Sequence, residues 1–300
     1  MGGMCVMTKI LINCIDLDIG DILFASSVAK KIKEEFPWET SCQLEFNVNY
    51  LQPLELLNNN PYIDKVYYKD SGSGYTDIFD INKSSHELNL STSVVSQYQR
   101  MCNIKNFNDT FEIFTNPVSD YSIECSMKEL VEIEYWNSDI IKVCYVMDWD
   151  RKSFSLNNST DRPITRNAHS IIESLKGNEQ IMLFAIGIES KDSKKFPSIN
   201  SASKFSFTAS LIKNSDYVIG PEGCLTNLSS AIGTRTIITT DYIHGVYGPN
   251  GTKVDKNKTY IEPFLGPRKY FPSGGHVHLD PDLTDQEVGN EILKIISYGR

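Results

Sequence analysis

One local unit occurs twice in this chain of 300 residues and dictates its architecture: an apolar strand that passes through a tight polar turn straight into an amphipathic helix. In the first copy, Lys9 to Ile15 is a near-continuous apolar run, as expected for a parallel strand covered on both faces. The turn Asp16-Leu17-Asp18-Ile19-Gly20-Asp21 leads into a helix with apolar positions Ile22, Ala25, Val28, Ala29, Ile32 and Phe36, which Pro37 stops. In the second copy, Tyr217-Val218-Ile219 runs through Gly220-Pro221-Glu222-Gly223 into a helix that reaches Ile232. Further strands are expected at residues 42–48, 65–68, 77–81, 140–146, 181–186 and 236–239, with helices at 53–57, 90–102, 165–175 and 208–213 and a final one carrying Val288, Ile292, Ile295 and Ile296. Such alternation specifies an α/β chain with parallel, doubly wound sheets.

Three hundred residues exceed what one small core needs and point to two Rossmann-like domains, residues 1–137 and 138–300, joined between Glu134 and Asp139. Apolar residues at 40% and charged residues at 22% are ordinary globular values, so no long segment is required to be disordered. The net charge of -9 speaks against a nucleic-acid-coating protein, although a modified base stays open as a substrate. Seven scattered cysteines, odd in number and without metal-ligand spacing, fit reduced thiols in a cytoplasmic protein and give no reason to expect a zinc site. The aspartates at 16, 18 and 21 disqualify the first apolar stretch as a secretory or membrane-spanning segment, so no membrane span is expected.

The second turn carries the chemistry. First-turn N–H groups of a helix have no partner within it, and the helix dipole adds positive potential, so the amides of Gly223, Cys224, Leu225 and Thr226 suit a phosphate or diphosphate. The Asn227 side chain can add an amide N–H. A Glu222 carboxylate repels phosphate but accepts hydrogen bonds from hydroxyls. A diphosphate and a polyol together describe a nucleotide sugar. The competing reading is an ordinary strand-turn-helix whose Gly223 merely permits the turn.

Two blocks resemble the heptosyltransferase-like glycosyltransferases of family 9. The first is Asp18-Ile19-Gly20-Asp21-Ile22-Leu23, then the helix end Lys33-Glu34-Glu35-Phe36-Pro37 and Asn60-Pro61-Tyr62-Ile63-Asp64-Lys65-Val66. The second runs from Leu211 to Gly223 and ends with Ala231-Ile232-Gly233-Thr234. Together they cover roughly a third of the chain. The resemblance implies a GT-B architecture, two Rossmann-like domains facing a cleft, with acceptor contacts in the first and a nucleotide-diphosphate sugar in the second. It implies neither metal nor cofactor. The family's general base maps onto Asp21, whose competing role is helix capping.

Asp18, Gly20, His86, Glu87 and Arg100 fall where acceptor contacts are expected. Arg151 or Lys152 is the candidate phosphate partner after the first strand of the second domain, and His244 stands in a loop expected over the donor. The chain departs from the family at Gly223-Cys224, which replaces a small pair, and at Asn227, where His is usual. His276 and His278 alternate along a strand-like segment and, without a third ligand, make no metal site. The expected function is an inverting transfer of a sugar from a nucleotide-diphosphate donor to a glycan or other hydroxyl acceptor. A noncatalytic nucleotide-sugar binding protein, or an epimerase or hydrolase on the same scaffold, are the alternatives.

Overall fold

The computed structural model describes residues 8–17, 19–35, 42–70, 72–81, 94–106, 112–130, 140–146, 168–186, 205–221, 224–240, 276–279 and 283–298. The chain divides into two compact units, Met1–Asn116 with Arg268–Ser273 and Pro117–Pro267 with Gly274–Arg300. Each unit is built on its own parallel sheet.

In the first unit the elements are β1 (Lys9–Cys14), α1 (Ile19–Ala25), α2 (Ser27–Glu35), β2 (Gln43–Val48), α3 (Leu54–Asn58), β3 (Lys65–Tyr68), β4 (Asp77–Asp80) and α4 (Val94–Met101). The sheet order is β3-β2-β1-β4, all parallel. Ile10, Ile12 and Cys14 of β1 and Leu44, Phe46 and Val48 of β2 form one buried face, on which Ile22, Val28, Ala29 and Ile32 of α1 and α2 pack. The single helix expected after β1 is broken at Ser26. Its hydroxyl donates to the Leu23 carbonyl at 2.6 Å, a back-bond that competes with the helical ladder and separates α1 from α2.

The opposite face is mixed, with buried Leu11 in register with Glu45 among polar side chains. Buried Glu45 accepts from Tyr75 OH at 2.6 Å and from Gln43 Nε2 at 2.8 Å, with Lys9 Nζ at 3.4 Å. This cluster ties the segment before β4 to the sheet, since Lys9 Nζ also lies over the Tyr75 ring.

The second unit contains α5 (Pro117–Leu130), β5 (Ile141–Val146), α6 (Ala168–Lys176), β6 (Ile181–Ile186), α7 (Phe205–Lys213), β7 (Tyr217–Pro221), α8 (Cys224–Ile232), β8 (Arg235–Thr240), β9 (His276–His278) and α9 (Asp285–Tyr298). Its sheet order is β6-β5-β7-β8-β9, again all parallel. Val143, Tyr145, Ile219 and Ile237 meet Ile171, Ile172, Leu175, Val288, Ile292 and Ile296 of α6 and α9 in one core. Thr284 and Glu287 start α9 as a reciprocal capping box: Thr284 N donates to Glu287 Oε2 at 2.8 Å, and Glu287 N donates to Thr284 Oγ1 at 3.3 Å. α5 packs against α7 in this unit, pinned by Lys213 Nζ to Asp120 Oδ2 at 2.7 Å. Among the described residues no helix is long and apolar enough to cross a membrane.

Candidate functional site

In open parallel sheets, ligands sit outside the carboxyl ends of the strands where the strand order reverses. In the first unit the reversal lies between β1 and β4, and in the second between β5 and β7.

At the first reversal, β1 ends in Cys14, the chain turns with Leu17 N donating to the Cys14 carbonyl at 3.2 Å, and α1 opens with half-buried Asp21 in its first turn. Gly20 is buried in the same turn. Burial, then Cys102 and the Asp21 carboxylate, hold the Cys14 thiol well above its usual range. The group next to Asp21 is therefore a neutral thiol, not a competing nucleophile. Arg100 is exposed near the end of α4, which packs on α1 and α2, so the fold brings its helix beside that of Asp21.

The same end of the sheet holds a ladder of polar side chains. Register pairs Asn13 with Asn47 of β2 and with Asp80 of β4. Asn13 Nδ2 donates to Asp80 Oδ1 at 2.7 Å, and Asn47 Nδ2 donates to Asn13 Oδ1 at 3.2 Å. Asn47 is only 3% exposed, yet its Oδ1, like that of Asn49, is buried with no hydrogen-bond partner. Sequence reading passed over this ladder. Its one signal was Asn13 interrupting an apolar strand.

At the second reversal, β7 runs two residues further than expected, through Gly220 and Pro221, and α8 opens at Cys224. Leu225, Thr226, Leu228 and Ser229 are buried, which seats the helix firmly on the sheet. The Leu225 and Thr226 side chains thus face inward, and what they can offer a ligand is backbone N–H. Half-buried Cys224 occupies the first helical position. At the far end Gly233 takes φ +90°, and the N–H groups of Gly233 and Thr234 both donate to the Ser229 carbonyl, a left-handed stop that turns the chain into β8. Asp18, His86, Glu87, Arg151, Lys152, Glu222, Gly223, His244 and the side chain of Asn227 lie outside the described residues. So do the side chains of His276 and His278, whose backbone pairs with Thr236 and Ile238.

An open groove of about 500 Å³ lies at the other end of the second sheet, lined by Ile141, Asp216, Tyr217, Thr234 and Arg235 among others. Its polar groups serve the fold. Asp216 Oδ2 accepts from Lys142 N at 2.7 Å, and Arg235 Nη1 donates to Tyr217 OH at 2.9 Å. Among the described residues no cluster of His, Cys, Asp and Glu has the arrangement of a metal site.

No family model and no curated protein sequence matches the chain. Solved structures do. A family 9 glycosyl transferase from Veillonella parvula aligns over 97% of this chain and 91% of its own, with a TM-score of 0.60 at 10% identity. The E. coli heptosyltransferase WaaC, solved with ADP-2-deoxy-2-fluoro heptose, aligns over 98% and 100% with a TM-score of 0.57 at 10% identity. The iron-containing dodecameric glycosyltransferase TibC from enterotoxigenic E. coli aligns over 98% and 78% with a TM-score of 0.58 at 12% identity. At such identities it is the fold that is shared: two Rossmann-like units of the kind these glycosyltransferases have, the GT-B class that the sequence blocks imply.

Proposed function

We propose that this protein is a glycosyltransferase that moves a sugar from a nucleotide-diphosphate donor to a hydroxyl acceptor. The observation that carries the reading is the β7–α8 junction, a strand ending at the reversal of the second sheet and feeding a helix whose first-turn N–H groups begin at Cys224. Such a junction suits the leaving diphosphate, which takes on charge as the glycosidic bond breaks. Glu222 and Asn227 flank it in sequence and are assigned to the donor, with Arg151 or Lys152 and His244 as further donor contacts. That a structural neighbour was solved with an ADP-sugar analogue supports a donor of this class.

On the first unit, Asp21 is assigned as the base. A sugar hydroxyl is a poor nucleophile, and a carboxylate that removes its proton as the C–O bond forms supplies the assistance the reaction needs. Direct attack gives inversion at the anomeric carbon. We assign no metal to this chemistry; the helix terminus and a basic partner stabilise the diphosphate.

A panel of nucleotide sugars screened by thermal shift tests the reading, because a ligand that binds only the folded protein raises its melting temperature. Selective stabilisation by one nucleotide-diphosphate sugar, followed by transfer to a glycan acceptor seen by mass spectrometry, is the expected outcome. Stabilisation without transfer to any acceptor would leave a nucleotide-sugar binding protein, and no stabilisation by any donor would overturn the proposal.

A further inference from the structure

We propose that the groove at the amino end of the second sheet is a binding site for a small organic carboxylate with an apolar body. The proposal does not rest on the glycosyl-transfer reading: the groove lies wholly within the second unit, at the opposite ends of β7 and α8 from the donor junction. The nine residues of α8 alone put about 13 Å between the two places.

Shape is the first argument. A space of about 500 Å³ falls within the usual size of small-molecule sites, about 300–1,000 Å³. Half-buried Ile141 and Ile232 line it, together with Ile296 of α9. A Cβ built at Gly233 would meet nothing within 4 Å, so the wall beside Ile232 gives onto open space rather than packed chain.

Donors are the second. Register sets Tyr217 beside Arg235 at the starts of β7 and β8. Arg235 Nη1 donates to the Tyr217 hydroxyl at 2.9 Å, and its Cζ lies 5.7 Å from the ring centroid, so a neutral partner orients an exposed guanidinium. Having accepted that bond, the phenol has its own proton to give, and among the described residues none accepts it. Other hydroxyls of the groove are spent within the fold: Ser215 Oγ donates to the Leu211 carbonyl at 2.8 Å, and Thr234 Oγ1 to that of Ile212 at 3.0 Å. Guanidinium and phenol together call for an acceptor, and a carboxylate offers two oxygens in one plane.

Charge is the third. Among the described lining residues Lys213 and Arg235 stand against Asp216 alone. The Asp216 carboxylate accepts from Lys142 N at 2.7 Å and lies 3.8 Å from Lys142 Nζ, which offsets its charge. Lys213 holds Asp120 of α5, so the ligand carboxylate is assigned to Arg235. Two helices, α7 and α8, end here, and bare carbonyls at such ends repel an anion. The chain caps them itself: Asn214 N and Nδ2 both donate to the Ser210 carbonyl, and Gly233 N and Thr234 N to that of Ser229.

The test is saturation-transfer NMR on the full chain with naphthaleneacetate, naphthaleneethanol and naphthylethylammonium, which share one apolar body and differ in charge. Wild type is expected to bind the carboxylate about tenfold or more tighter than the alcohol, and the ammonium least. Arg235→Gln, at an exposed position, should weaken the carboxylate about ten- to a hundredfold, the worth of a hydrogen bond to a charged group, and leave the alcohol unmoved. Arg235→Lys keeps the charge and loses the fork, so it should recover only part of that loss. Tyr217→Phe keeps the buried ring and removes the phenol donor, and it too should weaken the carboxylate alone. Melting temperatures report whether each variant is folded; where Tyr217→Phe does not fold, Arg235→Gln decides. An alcohol bound as tightly as the carboxylate, unchanged carboxylate affinity in Arg235→Gln, or no carboxylate binding to wild type would each overturn the proposal.

Discussion

Gly220 lies against Val146: a Cβ built at Gly220 would stand 2.6 Å from the Val146 Cβ and 3.2 Å from its carbonyl oxygen. The two residues are on adjacent strands, β7 and β5, at the carboxyl ends between which the second sheet reverses. The missing side chain is what lets the strands close there. Gly220→Ala should destabilise the second unit by about 1–3 kcal/mol, the usual cost of overpacking a filled core. Chemical denaturation measures it. Val146→Gly in the same chain should restore part of the loss, whereas Val146→Ala, which keeps the offending Cβ, should not. Unchanged stability in Gly220→Ala would show that the strands can part at this point.

The cysteines report on burial within each of the two units. Burial pushes the Cys144 thiol up to about 12 and raises Cys102, and Cys14 is raised well above its ordinary range. Because the thiolate is the reactive form, all three should resist iodoacetamide in the native protein near pH 8, as should buried Cys42. Half-buried Cys125 and Cys224 should react. Mass spectrometry of native and unfolded samples gives the pattern, and rapid native labelling of Cys14 would mean that the end of β1 is open to solvent.

What was legible in the sequence was whatever a short window could hold. The apolar runs of β1, β5 and β6 and the Gly233 stop announce themselves locally. The helix α5 does not, because among its described side chains the buried ones are Ser119, Ile123 and Met127, a narrow stripe beginning on a serine. The break at Ser26 was hidden by apolar spacing that continues across it, since the back-bond depends on a rotamer and not on hydropathy. The polar ladder was out of reach for a different reason: Asn13 is 34 residues from Asn47 and 67 from Asp80, and only the parallel register sets them side by side.

The donor assignment predicts that Glu222→Ala weakens nucleotide-sugar binding by about 1.5–3 kcal/mol, the worth of hydrogen bonds to a charged acceptor. Titration calorimetry with the sugar identified by thermal shift decides it. A folded variant that binds as tightly as wild type removes Glu222 from the site.

Metal dependence separates two ways of stabilising the diphosphate. If the α8 terminus and a basic side chain carry that charge, turnover should survive excess EDTA. The neighbouring fold of an iron-containing transferase makes the measurement worth doing on freshly prepared protein, with metal content read alongside activity. Activity lost to chelator and restored by manganese, magnesium or iron would assign a metal to the reaction and make Asp16 and Asp18, which lie between β1 and α1 in sequence, the first ligands to examine.

Asp21 has two physical uses at its position, and they predict different things. α1 begins at Ile19, so Asp21 is its third residue and not the expected cap: its carboxylate stabilises the first turn through the helix dipole, and asparagine keeps the shape and an acceptor oxygen at a small loss of that interaction. A general base must take a proton, which asparagine cannot do at any accessible pH. Asp21→Asn keeps volume and shape, so on the catalytic reading turnover falls about a hundred- to ten-thousandfold while donor affinity and melting temperature stay close to wild type. If Asp21 only stabilises the first turn of α1, all three quantities change little. Asp21→Ala separates the roles from the other side: it should lose activity on the catalytic reading and, through the lost interaction with the helix dipole, about 0.3–1 kcal/mol of stability on either. The measurements are product formation by mass spectrometry, the donor dissociation constant and the melting temperature, taken on all three proteins. Near-wild-type turnover in Asp21→Asn would end its assignment as the base, and the search for a proton acceptor would move to Asp18 and Glu87.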